Sequence, residues 1–168
     1  MSTALEWTLL LTAEHPLEQA RARAHALRLP ATAEVPYVRA LTRETLRAKP
    51  PLLIPRLAVR DSSIGGHFVP RGHIVYANHW SLAHSEKHWL LPSAFRPERW
   101  LLEESGYANS RGPAMCKFIP FSIGQRACPG AKLAEAELSA ATHVLLRAVR
   151  WSKVAPLVRR RGSNPGPA

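Results

Sequence analysis

The chain has 168 residues, 46% of them hydrophobic, and carries 23 lysines and arginines against 12 acidic residues, a formal net charge of +11. A mean hydropathy of −0.16 and the lack of an apolar run near about 20 residues exclude a membrane-spanning helix within it and leave material for one modest core. No signal-peptide pattern opens the sequence, and two cysteines build no disulfide framework, which fits a reducing compartment.

Near the start, Leu9, Leu10 and Leu11 precede His15-Pro16. Pro16 suits the first turn of a helix, where its missing N–H costs nothing. Within Pro36 to Arg47, Glu44 and Arg47 lie three residues apart, so on a helix they share one face and can pair. An isolated pair of this kind is common, mostly exposed, and worth under about 1 kcal/mol. Ile54 to Asp61 reads as a strand, and His73 to Ala77 as a short β-prone run. His79, His84 and His88 recur at spacings of five and four around Trp80 and Trp89. Two histidines four apart on a helix can bind zinc, but no third ligand accompanies them, so they read as packing and surface residues.

The densest signal is Phe121 to Gly130, in which Cys128 lies between Gly124 and Gly130 with Arg126 two residues before it. Gly124 lets the backbone turn sharply and approach a flat ligand. Arg126 is a planar cation suited to a carboxylate. Pro129 and Gly130 open a helix whose N-terminal amides favour a negatively charged sulfur, the layout of a thiolate loop that holds iron. A lone cysteine is more commonly an inert buried thiol. After it, Leu138, Ala141, Leu145 and Val149 fall on one helical stripe.

These ten residues fill the pattern F-x-x-G-x-R-x-C-x-G, and the segment resembles the haem-binding loop of the cytochrome P450 family. Two more motifs occur in family order: Pro36 to Arg47 resembles the K helix, and Phe95 to Trp100 is similar to the P-E-R-F segment. Gly65 to Gly72 is similar to the turn G-(Y/F)-x-(V/I)-P-(K/R)-G inside a small sheet. Asn78, His84 and Trp89 resemble a short patterned helix, and Ser2 to Gln19 the end of the I helix running into J. The resemblance implies a mainly α fold with small β-sheets (α+β). Residues 2–151 are then the C-terminal portion of a P450 domain: the end of I, then J, K, a short mixed sheet, an irregular meander and L. Residues 152–168 are expected to be a disordered basic tail.

The resemblance also implies roles. Cys128 becomes the axial ligand of the iron of haem b, a thiolate that favours O–O cleavage. Arg126 and Arg56 contact haem propionates, Phe121 shields the sulfur, and Gly124 and Gly130 let the loop approach the porphyrin. Cys116 is a spectator, and Ser122 and Gln125 are solvated. Glu44, Arg47 and Arg99 form a buried ionic triad, a structural device satisfied through bidentate hydrogen bonds. The implied activity is monooxygenation of a small lipophilic substrate, with electrons from NADPH through a flavoprotein reductase or ferredoxin. Lys117, Lys132 and Arg147 would face that acidic donor. The implied location is the cytosolic face of the endoplasmic reticulum membrane, through an N-terminal anchor outside this sequence.

The family's oxygen-activating acid–threonine pair is expected just before Met1, so no catalytic residue is assigned within the chain. One alternative is therefore a truncated product or partial gene model without independent activity, poorly soluble because apolar surface stays open. The other is a basic nucleic-acid-binding protein, which the charge allows. That alternative lacks a recognisable module, and its aromatics are not interleaved with lysine and arginine as stacking platforms require.

Overall fold

A computed structural model describes residues 2–50, 55–101 and 117–154. Helix α1 spans Ser2–Glu14 and α2 spans Pro16–Arg28, with only His15 between them. Pro16 occupies the first turn of α2, and Pro36 does the same for α3, Pro36–Ala48. In both places the fixed φ of proline is already helical and no hydrogen bond is lost. The connection from α2 to α3 is short, closed by a bond from Ala33 N–H to Pro30 O at 3.0 Å, and buries Val35.

Helix α3 is central, packing against α1, α2, the short helix α4 (His79–Ala83), the long helix α5 (Ala131–Ala148) and a 3₁₀ turn at Pro97–Trp100. Tyr37, Val38 and every residue from Ala40 to Arg47 are buried. Its apolar side joins Val38 and Leu41 to Leu11 of α1, Ala22 and Ala26 of α2, Phe95, and Leu146 of α5. The two alanines of α2 are fully covered, and their small side chains let neighbouring backbones come close.

Helix α5 buries Leu138, Thr142 and Leu146 together with His143. This row is offset from the stripe expected from apolar spacing. Ala141 and Leu145 are half-buried, and Val149 lies past the helix end and is 49% exposed. The physical reason is the C-terminus of α2, whose open carbonyls need donors. His143 Nε2 pairs with Ala26 O at 3.1 Å, and Arg147 donates to Ala26 O at 2.8 Å and Leu29 O at 2.5 Å. Arg147 is thus a cap for α2, which corrects its expected place on a partner-facing surface. Arg23 of α2 reciprocates onto the carbonyls of Leu146 and Val149. Trp151 finishes the corner, its indole N–H on Leu9 O at 2.9 Å and its own carbonyl accepting from Gln19 at 3.0 Å.

The strands form two separate antiparallel pairs among the described residues, not one mixed sheet. Strand β1 (Pro55–Leu57) pairs with β4 (Ile74–Tyr76), with Arg56 opposite Val75. Strand β2 (Ser62–Ile64) pairs with β3 (His67–Val69) across Gly65-Gly66. Both glycines have positive φ, 57° and 83°, as a two-residue hairpin turn requires. The expected strand over Ile54 to Asp61 ends at Leu57, and Ile54 lies outside the described residues. The 152–168 tail lies mostly outside them too.

A polar cluster holds the Pro97–Trp100 turn against α2 and α3. The Tyr37 hydroxyl donates to Glu18 in a short bond and lies 3.1 Å from Glu98 Oε1, while Arg21 bridges Glu18 (3.2 Å) and Glu98 (2.8 Å). Burial, then the neighbouring Glu18 carboxylate, pushes the Tyr37 hydroxyl upward and keeps it a donor. Burial alone would raise the Glu98 carboxyl. Its own backbone N–H, the Tyr37 hydroxyl and the Arg21 cation outweigh that and hold it below its ordinary 4.5. A depressed carboxylate contributes stability that is present above about pH 4.5 and is lost as pH falls through its folded-state value. Tyr37→Phe is expected to lower the unfolding free energy by about 1–2 kcal/mol at neutral pH and to flatten its loss below pH 4.5. Urea unfolding across pH reads both effects.

Candidate functional site

Glu44, on α3 and fully buried, collects donors from three directions. Arg47, one turn on, reaches it with Nε and a terminal nitrogen at 3.0 and 2.9 Å. Arg99 Nε lies 3.0 and 3.1 Å from its two oxygens. The backbone N–H of Arg96 and the indole N–H of Trp100 each donate at 2.9 Å. The last two were missed in the sequence. Trp100 was the available signal: it stands where P-E-R-F has phenylalanine, and a buried indole N–H needs an acceptor.

The guanidiniums spend their other donors on an irregular stretch of chain. Arg47 binds Ala83 O at 2.7 Å and Ala94 O at 3.4 Å. Arg99 binds Leu90 O at 2.9 Å, and Leu91 O and Ala94 O at 3.2 Å. Leu91 has a φ of 51°, a conformation leucine rarely adopts, and its carbonyl is held by Arg99. Burial, the largest influence, lowers Arg99 below the ordinary arginine value despite the Glu44 carboxylate beside it. The cluster is therefore a covered charge that only mutual pairing makes tolerable.

From this cluster a line of rings leads to the cysteine loop. Trp100 meets Trp89 at 5.6 Å and Phe118 at 4.6 Å between ring centres, and Arg43 lies over Trp100 while pairing with Glu135 of α5 at 3.4 Å. Phe118 enters the segment Ile119-Pro120-Phe121, and Phe121 O accepts the Cys128 N–H at 2.9 Å. Ser122 and Gly124 take positive φ, 64° and 79°, to turn the loop. Gly124 to Arg126 form one 3₁₀ turn closed by Ala127 N–H on Gly124 O at 3.0 Å. Cys128 O then accepts the Ala131 N–H at 3.3 Å, and α5 begins.

Cys128 is a free, exposed thiol two residues before the helix cap Gly130. A Cβ added to Gly130 would lie 3.9 Å from its sulfur, an ordinary van der Waals contact. Cys128 and the half-buried Phe121 both line a groove of about 790 Å³ between α3, α5 and the loop. Arg126 is exposed beside them; Gln125 is exposed, while Ser122 is half-buried. Arg56 is exposed on β1, and no hydrogen bond ties it to the cysteine loop among the described residues. Lys132 is exposed and Lys117 half-buried; Cys116 lies outside the described residues.

The histidines form no cluster of three metal-ligating residues among the described residues. His84 stacks on Trp80 at 3.7 Å, Asn78 caps α4 by accepting from Ser81 N–H, and the Trp89 indole donates to Leu82 O.

Glu44→Gln leaves two buried guanidiniums without an anion, so the unfolding free energy is expected to fall by about 3–5 kcal/mol in urea titrations. Trp100→Phe keeps an aromatic ring but removes the indole N–H to Glu44 and the buried volume of the pyrrole ring, and is expected to cost about 2–4 kcal/mol in the same titrations.

The family model described as Cytochrome P450 matches residues 1–162. The chain is 37% identical over 143 residues to trans-cinnamate 4-monooxygenase from Ruta graveolens, covering 78% of this chain and 28% of that protein. It is 39% identical over 148 residues to steroid 17-alpha-hydroxylase/17,20 lyase from Ictalurus punctatus, covering 82% and 28%. A zebra fish cytochrome P450 structure with progesterone superposes with a TM-score of 0.71 at 35% identity, over 87% of this chain and 34% of that one. The chain thus spans under a third of the length of these curated relatives. With the family model matching residues 1–162, the chain belongs to the cytochrome P450 family.

Proposed function

We propose that residues of this chain form the thiolate side of a haem-dependent monooxygenase. The observation that carries this is Cys128, a free exposed sulfur at the start of an 18-residue helix. The donor set fits an iron porphyrin: an exposed thiol for the metal, an aromatic ring lining the same groove, and the exposed Arg126 two residues away for an acidic substituent. When bound, haem b supplies the activation of dioxygen, drawing electrons from NADPH through a flavoprotein reductase or ferredoxin.

The chain's own residues then have distinct tasks. Cys128 would hold the metal, and the bond from its N–H to Phe121 O fixes the backbone that carries it. Arg126, with Arg56, neutralises the propionates. Phe121 keeps water from one side of the sulfur, and Gly124 and Gly130 allow close approach. The Glu44–Arg47–Arg99 cluster acts through positioning, since it fixes the backbone on which Trp100 and Phe118 support the loop. Exposed Lys132, with Lys117, suits an acidic electron donor, and the substrate is a small lipophilic molecule. The eukaryotic monooxygenase relatives support a place on the endoplasmic reticulum membrane.

A second reading concerns the chain by itself. The acid–threonine pair that the family resemblance implies for oxygen activation is assigned to no residue of this chain, and a reaction centre without it and open to bulk water would not protect its chemistry from side reactions. We infer that the 168-residue chain alone does not turn over substrate.

The chain and its Cys128→Ser variant, each loaded with haemin, reduced and exposed to carbon monoxide, separate these readings. The wild-type chain is expected to show the Soret band of thiolate ligation and the variant to lose it. An unchanged band in the variant overturns the assignment, and retention on DNA without haem uptake favours the nucleic-acid alternative. Product formation by the chain with reductase and NADPH would overturn the second reading.

A further inference from the structure

Lys49, the residue that closes α3, is a cation held by rings in place of a carboxylate. Its backbone N–H donates to Thr45 O at 2.8 Å, so its stem starts from the helix end. Its Nζ lies 4.8 Å from the centre of the Trp7 ring of α1 and 5.5 Å from that of Trp80 in α4. Among the described residues it makes no ion pair; Glu14 of α1, which feels its charge, is joined to Lys153. One ammonium thus fastens three helices at a single point.

His84 shares the Trp80 ring. The two rings stack with centres 3.7 Å apart and 23° between their planes. The Trp80 carbonyl lies 3.0 Å from both His84 Nδ1 and the His84 backbone N–H, so the neutral imidazole donates to it. Burial, the largest influence, holds this imidazole below its ordinary 6.5; the Trp80 carbonyl opposes that, Arg47 and Lys49 reinforce it, and Glu44 opposes it. On α4 itself His79 is buried, with Nδ1 unpaired among the described residues, and Glu86, Lys87 and His88 follow in the next turn.

We propose that Trp80 holds one cation at a time, and that protonation of His84 displaces Lys49 from it, unfastening α4 from α1 and from the end of α3. The negative face of an indole attracts a cation, and a second cation brought to the same ring meets the repulsion of the first. At neutral pH His84 is uncharged and Lys49 occupies the ring. In acid, the imidazolium keeps its carbonyl bond and the closer ring contact, whereas Lys49 has a flexible stem and no hydrogen bond to lose. Trp80 is 51% exposed, so the ammonium can turn into water without opening the core. A histidine held low contributes stability that is present above 6.5 and lost as pH falls through its folded-state value, so the latch opens in mildly acid solution. It does not depend on Cys128 or on haem.

The test is proton NMR of the full chain from about pH 8 to about pH 5. The Lys49 Cε protons, moved upfield by the two indoles at neutral pH, are expected to shift toward the values of an exposed lysine in step with the His84 titration. In His84→Gln they are expected to stay upfield throughout. Lys49→Met keeps the stem and removes the charge, and is expected to move the His84 midpoint upward toward 6.5; Lys49→Arg keeps the charge and is expected to leave it near the wild-type value. Lys49 protons that ignore the His84 titration would overturn the proposal, and so would a His84 midpoint unchanged in Lys49→Met. Dispersed amide spectra show which variants fold. Should Lys49→Met fail to do so, the comparison of wild type with His84→Gln decides alone.

Discussion

A carboxylate with no access to water, Glu44, is the point on which the rest of the structure depends. Removing a carboxylate from water costs several kcal/mol, and the attraction of a partner repays it only when the geometry is good and the lone pairs are filled. Here two guanidiniums, a backbone amide and an indole fill them. The arrangement is specific because few alternatives could satisfy so many donors at once. It forces the chain from Ala83 to Trp100 into one conformation, including the strained Leu91.

The consequences spread in two directions. Toward the loop, Trp100 passes the constraint to Phe118 by ring packing, and the backbone bond between Phe121 and Cys128 carries it on to the sulfur. Toward the helices, α5 starts directly after the cysteine, and its far end is stapled to α2 by His143, Arg147 and Arg23. The loop is thus held between a buried charge cluster and an anchored helix. That is what a proposed metal ligand needs, because a ligand sulfur displaced by its own backbone loses its preorganisation. The exposed side of the molecule is different in kind. Cys128, Arg126 and Arg56 are all solvent-exposed, and their proposed roles toward haem rest on the family resemblance.

Much of this was legible in the residues. The cysteine loop is a local motif in which glycine, arginine and cysteine occupy fixed offsets, and local backbone rules fix its turns. The helix opened by Pro16 was readable for the same reason; the helix from Pro36 and the turn at Gly65 to Gly72 were suggested by the family resemblance. Glu44 and Arg47 share a helix turn, so their pairing was visible, but nothing local brings Arg99 to them across 52 residues of chain. Only the resemblance to a family suggested it. The Trp100 and Arg96 donors, and the Arg43–Glu135 pair, left no periodic trace at all.

Helix α5 marks the boundary between the two kinds of information. Sequence alone determined that a helix follows Cys128, because its residues favour that conformation over eighteen positions. Apolar spacing chose a face through Ala141 and Leu145, yet the fold buries Thr142 and His143 and engages Arg147. The choice was made by the unpaired carbonyls at the end of α2, which demand donors wherever those donors come from. Conformational preference and turn chemistry are short-range and can be read from neighbours. The pairing of buried polar groups is a property of elements distant in sequence, and it is decided only when they meet.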